Sequence, residues 1–229
     1  MKRSFFSLTL FALGAFAFGA GAFAADKPKI PDTPVGTEVA FVQAVQKDLN
    51  SRFATPAQAQ SAGYFRYNNE DKTGAISYAN LQWNSADPQH PSQLWYDVNG
   101  RLLGADYSIP LTAANSSAPP SIWGVNPQRW FKVSRAHVHY ILRNPDGSLK
   151  YGLAVRGADF TAAGGDFNDP QPQTLVKLGK VSNPALVSKI FTYPAQWNLE
   201  LWVLPNPKGA FADTNPNVTP SKSAGGESM

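Results

Sequence analysis

The chain has 229 residues, no cysteine, 16% charged and 12% aromatic residues, and a formal net charge of +4. Without cysteine neither disulfides nor a thiol-linked lipid anchor can hold it, so core packing must do so. Beyond the first residues there is no run of Lys and Arg and no interleaving of basic with aromatic residues, which excludes a nucleic-acid footprint.

Residues 1–24, "MKRSFFSLTLFALGAFAFGAGAFA", place Lys2 and Arg3 before an apolar run that ends with Ala22 and Ala24 in an A-x-A pattern. This is the pattern of a secretory signal peptide, and no second apolar run of about 18 residues follows to act as a membrane stop. The mature chain is thus expected to start near Ala25, with a net charge of +2 once Lys2 and Arg3 are gone, and to reside in the periplasm or outside the cell. A Pro-rich lead over 25–34 precedes one expected globular domain, 35–218, and a polar tail, 219–229, which has nothing apolar to bury and is expected to be disordered.

Within the domain, Val35, Val39, Val42, Val45, Leu49 and Phe53 recur at helical spacing, and Thr33-Pro34 suits the start of a helix. "TPAQAQSAG" repeats that start signal and closes on Gly63. From Tyr64 onward short aromatic and β-branched segments alternate with Asn, Asp, Gly and Pro, as in sheet proteins. "QLWYDV" and "RLLGADYSI" meet at Asn99-Gly100, a two-residue hairpin signal, and "RWFKVSRAHVHYILRN" meets "SLKYGLAVR" across Pro145-Asp146-Gly147. Residues 157–172 read as a Gly/Asp loop, 173–190 as short helices, and "QWNLELWVL" (196–204) as the last strand. The expectation is an α+β, mainly β fold: a curved antiparallel sheet or small barrel with N-terminal helices and a short helical insertion before the last strand.

Of the three histidines, His137 and His139 stand one residue apart within a strand, so their side chains share a face, with Val138 and Tyr140 on the other. Two imidazoles so spaced can converge on one divalent transition metal (Zn, Fe, Mn or Cu), and Glu200 and Asp106, acids within strands, could complete the set. Such a metal would act as a Lewis acid or activate water or oxygen. The same pair also fits the solvated face of an antiparallel sheet, with Glu200 paired to Arg143 or Arg135. The cupin family shares the H-x-H start, but it expects a glutamate where Arg143 and Asn144 stand, so the likeness is one of analogy. His90 lies in a Pro-flanked loop, and Asp166, Asn168 and Asp169 sit on a Gly/Asp turn lacking the downstream glutamate of a calcium loop. Two other readings of the fold are a non-catalytic barrel carrying a small molecule among its tryptophans and an interaction protein of the cell envelope.

The C-terminal "NLELWVLPNPKGAFADTNPNV" resembles the end of a family of secreted bacterial proteins without an assigned activity, in which an aromatic strand is followed by N-P-x-G-x-F-x-x-x-N-P-x-V. "AQSAGY", "GAISYANLQW" and "WYDVNGRLLGADYSIP" are weaker echoes, and together the matches touch about half the mature chain. In that family a histidine stands where this chain has Ser77, a glutamate where it has Asp106, and a histidine where it has Glu200. The resemblance implies a secreted domain whose shared metal-capable positions have been rewritten around His137 and His139, or lost.

Overall fold

A computed structural model describes residues 30–84 and 86–225. The signal peptide expected over 1–24 lies outside them.

The first helix, α1 (Thr37–Arg52), starts three residues later than Thr33-Pro34 suggests. Residues 31–34 are held by distant partners instead: Arg129 binds the Pro31 and Thr33 carbonyls, and the Asp32 carbonyl accepts from Phe211 N–H. The chain turns into the helix at Gly36 (φ 57°), and the Glu38 carboxylate reaches back to the Val35 N–H at 3.0 Å. Phe41, Val42, Val45 and Leu49 form the buried stripe, whereas Val35 and Val39 are exposed. The second helix, α2 (Pro56–Ser61), has the expected start: Thr55 and Gln58 cap each other reciprocally, and Gly63 (φ 89°) ends the turn.

Among the described residues, nine strands follow in two antiparallel sheets. The larger is ordered β1 (Phe65–Arg66), β2 (Ile76–Ala79), β3 (Gln93–Tyr96), β4 (Leu102–Pro110), β9 (Gln196–Trp202), β5 (Phe131–Val133). The smaller is β7 (Leu149–Arg156), β6 (His137–Arg143), β8 (Val187–Tyr193). The molecule is therefore α+β and mainly β, but neither sheet closes into a barrel. At the β3–β4 turn the strands rejoin at Asp97 and Arg101, so three residues rather than two bridge them, with Gly100 (φ 78°) in the left-handed position. The Asn144–Ser148 turn of the β6–β7 hairpin has the same form.

Three readings of the sequence need correction. The run 129–144 holds two strands, β5 and β6, separated by residues 134–136; residues 187–193 are a strand, β8, although 187–190 were expected to be helical; and the expected loop 157–172 opens with a helix, α3 (Gly157–Ala162). One further helix, α4 (Pro172–Lys177), falls where short helices were read.

β5 pairs with β9 in the large sheet, and their continuations β6 and β8 pair in the small one, with Val133 opposite Gln196 and His137 opposite Tyr193. A single two-stranded ribbon thus leaves one sheet, bends, and becomes the centre and edge of the other. The bend uses three residues on one strand (134–136) against two on its partner (194–195), the unequal count of a bulged corner. It folds the small sheet over one face of the large one. The opposite face of the large sheet carries Leu94, Ala105, Tyr107, Leu199 and Leu201 against α1. The outer face of the small sheet packs Val138, Tyr140, Leu153 and Val155 against Phe160 of α3 and Leu175 of α4. Helix, sheet, sheet, helix is the resulting layer order, and a third apolar group, Tyr67, Ala79, Ile141, Phe191 and Tyr193, joins the sheets.

Candidate functional site

Alternation along β6 turns Val138 and Tyr140 toward the helices and leaves His137 and His139 between the sheets, beside Tyr193 and Phe191 of β8, which are their cross-strand partners. The two imidazoles meet edge to face with ring centres 4.7 Å apart. Tyr193 stacks on His137 at 5.5 Å, Phe191 stacks on His139 at 5.3 Å, and Tyr67 from the large sheet meets the His139 ring at 4.9 Å. Both histidines are half-buried as residues, and His139 Nδ1 is itself buried.

The opposing face of the large sheet is polar. Register puts Gln93, Asp106, Ser108, Gln196 and Asn198 on it, all buried. Ser108 bonds both Ser92 and Gln196, and the Tyr67 hydroxyl donates to Gln93 Oε1 at 2.7 Å. Polar satisfaction is incomplete here: His139 Nδ1, Gln196 Oε1 and Asn198 Oδ1 are buried without a hydrogen-bond partner. Each such atom costs about 1–3 kcal/mol unless something fills it, so a concentration of them in one interlayer calls for an explanation.

Ionisation follows burial. Loss of water pushes His137 below the usual imidazole range, against a smaller opposing effect of the Arg135 carbonyl. His139 is pushed well below it, first by burial and then by its neighbour His137, with the Leu153 carbonyl opposing. Both rings are therefore neutral at pH 7, and a neutral imidazole has one N–H and one lone pair. His137 Nδ1 lies 3.1 Å from the Arg135 carbonyl, which can only accept, so its proton is there and Nε2 carries the lone pair. For His139 the tautomer with its N–H toward the Leu153 carbonyl leaves Nδ1 bare. Burial above all, with the Tyr67 phenol and the Asp106 carboxylate nearby, pushes the Tyr193 hydroxyl far above the phenol range.

The four residues expected as ligands are not gathered into one group. Asp106 belongs to the polar face across from Tyr193. Glu200, its cross-strand partner on β9, is half-buried and lines a surface hollow with Ile30, Asp32, Arg129 and Phe131. Among the described residues, no three drawn from His, Asp and Glu are placed to hold a metal ion. His90 is a loop staple, its Nδ1 2.6 Å from Asp87 and its ring 4.4 Å from Trp83. Asp166 caps the Asn168 N–H within the Gly/Asp turn. Tyr193 and Tyr67 were missed from sequence. The available signal was the alternation of Phe191 and Tyr193 just before Pro194, which matches the alternation of the histidines.

No protein-family model matches this chain, and no curated protein and no solved structure matches it.

Proposed function

We propose that this protein is an exported binder of a transition-metal ion, held through His137 and His139 between the two sheets. One observation carries the reading: two adjacent neutral imidazoles, each with a backbone carbonyl for its N–H, offer their remaining lone pairs in the same interlayer. Metal-ligating histidines are oriented in this way, the second nitrogen being tied down so that the first is presented in the correct tautomer. The ring faces are already taken up by neighbouring rings at 4.7–5.5 Å, so what the group offers is in-plane lone pairs, and an ion uses these without needing a slot for a flat organic guest. So few protein donors leave open coordination positions for water or a second ligand. The leader over 1–24 and the C-terminal likeness to secreted proteins support export.

The test is metal analysis of untagged protein after loading with Zn(II) or Cu(II) and exhaustive dialysis. One ion per chain is expected, falling to background in His137→Gln/His139→Gln, with circular dichroism showing that the variant is folded. Folded wild-type protein that retains no ion would overturn the proposal.

A further inference from the structure

We propose that Tyr193 is the third protein donor of this site, its oxygen joining one nitrogen each of His137 and His139. The inference rests on the metal-binding reading above and adds a ligand that no count of histidines and carboxylates includes.

Three observations carry it. First, the rings form a nearly equilateral triangle: His137 to His139 4.7 Å, His137 to Tyr193 5.5 Å, His139 to Tyr193 5.5 Å. His137 and Tyr193 are also direct cross-strand partners, so the ladder itself holds two sides of that triangle in place. Second, the Tyr193 hydroxyl is buried, the residue being 2% exposed, with the Tyr67 phenol as its hydrogen-bonding neighbour, and His139 Nδ1 is buried without a partner. Third, β8 contains its own control. Phe191 occupies the previous inward position and stacks on His139 as Tyr193 stacks on His137. Packing against an imidazole therefore needs only a phenyl ring, and the hydroxyl at 193, with the Tyr67 phenol beside it, is not needed for the stack.

Chemically, a divalent ion entering the triangle displaces the phenol proton, which leaves to solvent, and a metal–oxygen bond forms in place of the O–H bond. Two neutral imidazoles and one phenolate reduce the charge of the buried ion from +2 to +1, which eases the cost of desolvating it. This donor set suits borderline divalent ions such as Cu(II) or Zn(II), with water in the open position.

Cu(II) titration of untagged apo-protein provides the test. Wild type should bind one Cu(II) and develop a phenolate-to-copper charge-transfer band in the visible, and release one more proton than Tyr193→Phe. The Phe variant should still bind Cu(II), without the band and with roughly tenfold or greater loss of affinity. Tyr67→Phe, the neighbouring phenol, should keep the band. Copper bound by wild type without a band, or a band that follows Tyr67, overturns the assignment of Tyr193 while leaving the histidine site standing. No binding by folded wild type removes both.

Discussion

Arg129 is buried because every face of its guanidinium is answered. Nε and Nη2 bind both oxygens of Glu38 at 3.1 and 2.9 Å, Nη1 and Nη2 donate to the Pro31 and Thr33 carbonyls, and the Phe211 ring lies 4.2 Å away. Burial alone would raise the Glu38 carboxyl, but Arg129 and the N–H groups of Val35 and Asn126 outweigh it and hold the group below its usual range. Breaking such a pair strands a charge, whereas replacing both partners removes the problem. Arg129→Met should therefore cost about 3–5 kcal/mol in urea unfolding, and Glu38→Met/Arg129→Met should recover most of it. A double variant as unstable as the single one would show that the residues act separately. This pair was illegible in sequence because 91 positions separate its members, and nothing local to Glu38 or Arg129 announces the other. That His137 and His139 share one face was legible, because alternation is a local property of a strand, whereas the direction in which that face looks was not. The placement of Glu200 was not, since it depends on which strands lie beside β9.

The ribbon formed by β5–β6 and β8–β9 decides which side chains share the interlayer, and its bend is the element that sequence concealed. The strand-like run over 130–143 contains no Gly, Pro or Asn and so gives no sign of a corner. β8 was missed for a related reason: Val187, Ser188 and Lys189 carry little alternation, and the segment is a strand because β6 presents it with an open edge. Hairpin turns were legible, because glycines at 100 and 147 are demanded by left-handed backbone whatever lies around them. Since three residues oppose two at the bend, deletion of Ala136 would slide β6 by one position and exchange the histidines with Val138 and Tyr140. The variant should lose near-ultraviolet dichroism and fail to stay soluble, while deletion of exposed Ser117 in the 111–126 loop should leave the fold and its melting temperature nearly unchanged. Equal behaviour of the two deletions would mean that the corner does not set the register.

At the scale of the whole molecule, the two sheets meet over neutral histidines and an acceptor-rich polar face, so their association is coupled to pH. The free imidazole has a pKa of about 6.5, and both His137 and His139 lie below this in the folded chain. Below pH 6.5 the unfolded chain therefore takes up protons that the folded chain refuses, and stability, fully present above that pH, falls as pH drops toward the folded-state values. Each group contributes a slope approaching about 1.4 kcal/mol per pH unit within its window. Glu38, also depressed, begins to matter only below the carboxylate range near pH 4.5, so it does not confuse the neutral-to-pH 5 interval. Urea midpoints of metal-free protein should be flat from pH 8 to 7 and decline from 6.5 to 5. His139→Phe should flatten that decline, because its ring can occupy the stack on Phe191 without titrating. Saturating metal should raise the midpoint at pH 7 and steepen the loss on acidification, as protons compete with the ion for the same nitrogens. A metal-free protein whose stability is constant between pH 7 and 5 would mean that the histidines are as readily protonated in the folded chain as in the unfolded one, and that the interlayer is open to water rather than sealed around them.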